Sequence, residues 1–159
     1  MFQVHQNTEN IILIWTSNRA PYLQYKDEKM LSLFDNFITK VKEKLNKFFA
    51  YKNPVITKLV FAKLYSKSLI YKHTYQGKML RIVQRIHIPV FTNSNVTVMI
   101  NNEKFFMELV NIYNFNNTMI HAVNNNSNEN RIHLIIDYID QSMLDKFKVD
   151  IKPSNQLVF

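Results

Sequence analysis

The sequence predicts a mainly β protein: a double-stranded β-helix, or jelly roll, with one long N-terminal helix packed on a sheet. Three observations carry this. Apolar residues recur at helical spacing only once, between residues 27 and 50. From residue 55 onward the pattern changes to short runs of period two. Polar, Asn-containing segments separate those runs at intervals that suit a two-sheet barrel. The 159 residues fit one domain, 1–159, with a strand and helix over 1–54, the barrel over 55–139, and a short helix and tail over 140–159. Hydrophobic residues are 47% and aromatics 13%, which excludes a disordered chain and supplies a core. With one Gly and four Pro, turns that need a positive φ fall to Asn.

Residues 10–15 read as a buried strand and 17–26 as a polar loop containing Pro21. The helix over 27–50 repeats Met30, Leu33, Phe34, Phe37, Ile38, Val41, Leu45, Phe48 and Phe49, so Phe34, Phe37, Phe48 and Phe49 are expected in the core. Asp27 is its N-cap, and Asn53-Pro54 ends the pattern. Val55–Tyr65 and Ser68–Tyr71 are the next two strands. Along Arg85–Phe91, Arg85, His87 and Pro89 face one way and Ile86, Ile88 and Val90 the other. Val96, Val98 and Ile100 share a face. Asn101-Asn102 then sits where a two-residue hairpin turn belongs, and Lys104–Met107 returns. Leu109–Phe115 reads as a strand. His121–Val123 and Arg131–Tyr138 form the last pair, joined by a polar loop, Asn124–Asn130, whose first residues read as flexible. There are no internal repeats.

The formal charge of +8 admits an acidic partner. Lys40, Lys42, Lys44 and Lys47 form the one lysine cluster, so a basic nucleic-acid-associated module is an alternative. A solvated helix face explains the same lysines, and nucleic acid is not the expected partner. No cysteine is present, which removes disulfides and thiolate metal sites. Ile11-Ile12-Leu13-Ile14-Trp15 is too short for a membrane span and lacks a basic lead. The expected compartment is the cytoplasm.

The chemistry-bearing residues stand on the strands. Arg131, His133, Ile135 and Asp137 share one face, and Ile132, Leu134, Ile136 and Tyr138 the other. The second face is apolar apart from a hydroxyl and must be packed. The first then faces a pocket, where a buried Arg131 demands an anion. The bland alternative pairs it with Glu129, Asp137 or Asp140. Arg85 and His87 repeat the motif on another strand, so the pocket is electropositive and suits a dicarboxylate. His73 ends a strand, His121 begins one, and in a jelly roll the two can meet at the mouth. Two neutral imidazoles with open positions suit Fe(II). His5 reads as an ordinary hydrogen-bonded histidine, His133 as a core or supporting histidine, and Asp137 as structural.

These segments resemble the aspartyl/asparaginyl β-hydroxylase family, cupin-like Fe(II)- and 2-oxoglutarate-dependent dioxygenases. Phe61-Ala62-Lys63-Leu64-Tyr65 through Leu69-Ile70-Tyr71-Lys72-His73 is similar to the strand leading into that family's first iron histidine. Arg85-Ile86-His87-Ile88-Pro89 with Thr92-Asn93 is similar to its R-x-H-x-P segment. Phe115-Asn116-Asn117-Thr118, His121-Ala122-Val123-Asn124 and Arg131-Ile132-His133-Leu134-Ile135-Ile136-Asp137 are similar to its closing segment. The likeness spans residues 57–139.

The resemblance implies that His73 and His121 are the metal ligands and Arg131 pairs with the distal carboxylate of 2-oxoglutarate. It also implies that Arg85 and His87 line the co-substrate and substrate side. The implied partners are 2-oxoglutarate, O₂ and an amino-acid or peptide substrate of the Asp/Asn type. One position departs. Relatives carry Asp or Gly two residues after the first histidine, and here it is Tyr75. Three dispositions are open: the phenol turns outward, ligates the metal, or blocks it. The last would leave a catalytically degenerate jelly-roll relative acting as a binding protein. The glycine usual before the late strand is also replaced, by Leu109.

Overall fold

Period-two alternation builds the larger sheet, and its consequence is a wall with one apolar face and one that mixes polar with apolar residues. The computed structural model describes residues 7–17, 22–148 and 150–152. His5, Pro21 and the tail 153–159 lie outside the described residues. The strands are β1 (Thr8–Thr16), β2 (Leu23–Lys26), β3 (Pro54–Leu64), β4 (Ser68–His73), β5 (Gln84–Phe91), β6 (Val96–Ile100), β7 (Glu103–Phe105), β8 (Tyr113–Asn114), β9 (His121–Asn125), β10 (Arg131–Asp140) and β11 (Asp150–Lys152). The larger sheet runs β11-β2-β1-β3-β10-β5-β8 and the smaller β4-β9-β6-β7. Described pairs are antiparallel except β11 with β2. The mainly β, two-sheet expectation therefore holds.

The outer face of the larger sheet is packed as its alternation requires. Ile56, Leu59, Ile86, Ile88, Leu134, Ile136 and Tyr138 form one buried cluster with Ile38, Val41 and Leu45 of the helical layer. A second cluster, Leu64, Ile70, Val96, Val98, Met107 and Val123, lies between the two sheets. Burying a side chain of this kind contributes roughly 1.5–3 kcal/mol. The sheets are thus held from both sides, and polar groups share the space between them with this second cluster.

The expected single long helix is not what forms. α1 (Glu28–Leu33) and α2 (Asp35–Phe49) are separate, with Phe34 between them at φ −108°, ψ 9°. The Phe34 N–H turns back to the Leu31 carbonyl at 3.1 Å, a tighter closure than an α-helical bond. Asp27 caps α1 as expected, accepting from the Met30 N–H at 2.9 Å. The Asp27 N–H bonds the Leu13 carbonyl and anchors α1 to β1. The break keeps Phe34 in phase and lets its ring meet Phe61 at 5.5 Å. Apolar periodicity runs through such a break without registering it.

Other expectations also change. Of the helix aromatics, Phe34 and Phe49 pack on the core, but Phe37 and Phe48 are exposed, as is Leu33. They lie to one flank of the Phe34-Ile38-Val41-Leu45-Phe49 stripe. The lysines at 40, 42, 44 and 47 are exposed on α2. Part of the expected 17–26 loop is β2, paired with β1. The expected 109–115 strand shrinks to Tyr113–Asn114. There Val110 takes φ 56°, an uncommon conformation for a β-branched residue, while its N–H bonds the Pro89 carbonyl. Asn101 and Asn102 both have positive φ, 49° and 72°, as a two-residue hairpin turn needs.

Asn125 corrects the flexible-loop reading. It ends β9, is fully buried, and donates from its amide to the carbonyls of Tyr65 (3.0 Å) and Glu129 (2.8 Å). Its position in the alternation points it inward, where its polar groups must be satisfied. Beyond β10 come α3 (Gln141–Leu144), a 3₁₀ turn and β11. Among the described residues no helix is long and apolar enough to cross a membrane.

Candidate active site

A cavity of about 270 Å³ lies between the sheets. Its walls bring together the residues that alternation aimed inward: His73 and His121 from the smaller sheet, Arg85, His87 and Arg131 from the larger one. Tyr75, just past β4, lines it as well.

The two distant histidines meet because β4 pairs with β9 in a register that sets His73 opposite His121. Their ring centroids are 4.2 Å apart. The Nδ1 of His73 lies 2.8 Å from the Tyr71 carbonyl, and that of His121 lies 2.8 Å from the Met119 carbonyl. A carbonyl can only accept, so each Nδ1 carries the proton and each Nε2 holds a lone pair. This is the tautomer a metal-binding imidazole needs, with the ring oriented from behind. Burial lowers the His73 pKa, which favours the neutral ring. Among the described residues no group of three or more His, Asp or Glu side chains converges as a metal site. The donor set is two imidazoles.

Tyr75 faces the same space rather than turning outward. Its ring stands edge-on to His73 at 5.0 Å, lies 5.5 Å from His121, and carries the Arg85 guanidinium 4.5 Å above its face. Burial raises the phenol pKa, which favours the neutral side chain. Its N–H bonds the Asn117 carbonyl at 3.1 Å, and this holds the segment after β4 inward.

Arg85 and Arg131 differ sharply in their partners. Arg85 stands opposite Asp137 in the β5–β10 register. Its Nε and Nη2 donate to Oδ1 and Oδ2 at 2.7 and 2.6 Å. Burial works to lower the Arg85 pKa, but the carboxylate outweighs it and the net direction is up. Asp137, expected to be structural, is engaged by Arg85 through both its oxygens. Arg131 pairs with none of Glu129, Asp137 or Asp140. Its Nη2 donates to the Nδ1 of His133 at 2.6 Å, and its buried Nε has no partner among the described residues. Burial pulls the Arg131 pKa down to about 9, so it still carries its charge at neutral pH.

His87 stands over Phe115, ring centroids 4.9 Å apart, and 5.9 Å from the ring of His133. Both His87 ring nitrogens are buried without a hydrogen-bond partner among the described residues. Burial, and then the Arg131 charge, push its pKa well below the ordinary value. It faces the cavity as a neutral imidazole.

Lys58 was not singled out by the sequence. It follows the same parity as Val60 and Ala62 on β3, so period two was the available signal. In the register it lies beside Asp137 on one side and Trp15 on the other. Its ammonium sits 4.5 Å over the Trp15 ring. Burial, and then Arg85, pull its pKa down to about 8.

Comparison with known proteins bears on the family and the fold. The sequence model of the aspartyl/asparaginyl β-hydroxylase family matches residues 4–141. An oxidoreductase of the 2OG-Fe(II) oxygenase family from Burkholderia pseudomallei superposes with a TM-score of 0.61 at 13% identity, over 87% of this chain and 70% of that one. A cupin 2 conserved barrel domain protein from Salinispora arenicola gives 0.42 at 12% identity, over 57% and 69%. At such identities the likeness is one of fold. No curated protein matches the sequence.

Proposed function

The chain belongs to the aspartyl/asparaginyl β-hydroxylase family, and from that premise we propose that it is an Fe(II)- and 2-oxoglutarate-dependent dioxygenase. Its expected substrate is an amino-acid or peptidyl side chain of the Asp/Asn type. One observation carries the reading: a buried guanidinium with no carboxylate partner among the described residues shares a cavity with two imidazoles whose lone pairs are on Nε2.

The donor set fits the metal. His73 and His121 would hold Fe(II) through Nε2, each kept in its tautomer by a backbone carbonyl. When bound, Fe(II) supplies the O₂ chemistry that turns 2-oxoglutarate into succinate and CO₂ and hydroxylates a C–H bond. The protein's own part is positioning. Arg131 would pair with the distal carboxylate of 2-oxoglutarate, exchanging an unmet charge for a charge-assisted contact. Among the described residues Lys58, Lys63, Arg85 and Arg131 line the cavity, and with Lys63 paired to Glu9 and Arg85 to Asp137 they leave a positive surplus suited to a dianion. His87, neutral and wedged by Phe115, would line the co-substrate without adding charge. The Arg85–Asp137 pair would keep the substrate wall rigid and hold Tyr75 by its face.

The test is succinate formation from 2-oxoglutarate by iron-loaded protein, with and without Asp- and Asn-containing peptides. Turnover is expected in the wild type and lost in His121→Ala and Arg131→Ala. Anaerobic Fe(II) plus 2-oxoglutarate should give a weak visible charge-transfer band. Absence of both band and succinate in the wild type would remove the proposal.

The position of Tyr75 favours a second reading, a relative that binds the keto acid without turning it over. In that case the wild type gives the band but no succinate, and Tyr75→Gly restores turnover.

A further inference from the structure

We propose that His133 is the positioning residue of the Arg131 guanidinium, a neutral hydrogen-bond acceptor that holds it in place without discharging it. This rests on the reading of Arg131 as the anchor of the keto acid. A buried guanidinium needs an acceptor, and the usual choice is a carboxylate. A carboxylate here would close the site, as Asp137 closes Arg85. The imidazole satisfies one of five N–H donors and leaves the net charge intact.

The geometry follows from β10 alone. His133 is two residues from Arg131 on the same strand, so both project from one face. Arg131 is 3% exposed and His133 fully buried. At 2.6 Å from Nη2, His133 Nδ1 must be the acceptor, because guanidinium only donates. The ring proton therefore lies on Nε2, which has no partner among the described residues. An imidazolium in that place would set two positive charges in contact. His87, the next ring in the cluster at 5.9 Å, adds no acid that could protonate it. The ring is fully buried, and Pro89 on β5 is the register partner of His133.

Two substitutions separate positioning from packing. His133→Asn keeps an acceptor oxygen close to the place of Nδ1, whereas His133→Phe keeps the ring and loses the acceptor. The probe is 2-oxoglutarate binding to protein loaded with Mn(II), followed by calorimetry, together with KM and kcat in the iron form. His133→Phe is expected to raise Kd and KM about tenfold with kcat nearly unchanged, and His133→Asn to stay within about threefold of wild type. Equal losses in Asn and Phe, tracking their loss of thermal stability, would overturn the proposal. So would unchanged binding in Phe.

A second readout needs no ligand. The ¹⁵N shifts of His133 should report the Nε2–H tautomer without titrating between about pH 6 and 9, and Arg131→Ala should move them. An Nδ1–H tautomer or an imidazolium would overturn the assignment. If instead the wild type binds no 2-oxoglutarate while the shifts behave as expected, the functional reading fails and the pairing stands.

Discussion

Two buried arginines on the inner wall of one sheet have opposite electrostatic fates. Arg85 is saturated by Asp137 in a two-pronged ion pair. Arg131, six residues from Asp137 on β10, has among the described residues only a neutral imidazole. The first arrangement has exchanged its charge for rigidity. The second holds its charge in reserve, at a standing cost to the apo fold. Among the described residues Arg131 has no counterion, which is the feature that the proposed anchoring of a carboxylate uses, and the same wall shows what the satisfied version looks like.

The sharpest way to break this comparison is to strand Arg85. Asp137→Leu should destabilise the fold by about 3–5 kcal/mol, because it leaves a buried charge unpaired. Denaturant unfolding checks this, and a loss below about 1 kcal/mol would show that Arg85 finds other compensation. The same operation on Arg131 should have the opposite sign. Arg131→Met removes a charge that is already uncompensated, so apo stability should hold or rise. 2-Oxoglutarate affinity should fall about 100-fold, read by calorimetry with Mn(II). A strongly destabilised Arg131→Met would mean that the guanidinium is structural.

Acid should expose the histidine side of the contrast. The pKa values of His87 and His133 are pushed well below the ordinary value, chiefly by burial. The unfolded chain therefore takes up protons that the folded chain refuses. Stability is retained above the unfolded value near 6.5 and lost as pH falls below it, by up to about 1.4 kcal/mol per pH unit for each ring. Thermal melts from about pH 7 to 5 should show the decline, smaller in His133→Asn. The smallest effect belongs to Lys58. Its pKa near 8 lies below the unfolded value of 10.5, so the cost of its buried charge is present below pH 8 and relieved as pH rises toward the unfolded value. Lys58→Met should gain on the order of 1 kcal/mol at pH 7, and the gain should vanish in alkaline melts.

Much of this wall was legible residue by residue. Parity on 85–91 and 131–138 separated the packed face from the cavity face, and the packed residues Ile86, Ile88, Leu134, Ile136 and Tyr138 are where alternation put them. The Asp27 cap and the Asn101-Asn102 turn were equally local. The break at Phe34 was not, because the apolar stripe stays in phase through it. Strand β2 was hidden by its polar composition, and its identity comes from pairing with β1. Asn125 looked like loop because polarity in sequence does not say whether its partners are water or the carbonyls of Tyr65 and Glu129.

What the chain determines by itself is which way each strand residue points, since alternation is a property of the extended backbone and needs no neighbour. It also determines that Arg85, His87, Arg131, His133 and Asp137 share the polar interior. Which of two arginines receives the one carboxylate is decided only in three dimensions. The register of β5 on β10 brings Arg85 across from Asp137 over a separation of 52 residues, while Arg131, nearer to Asp137 in sequence, lies too far along its own extended strand to reach it. The meeting of His73 with His121 and the inward turn of Tyr75 have the same origin: contacts between segments remote in sequence, set by how the strands pair.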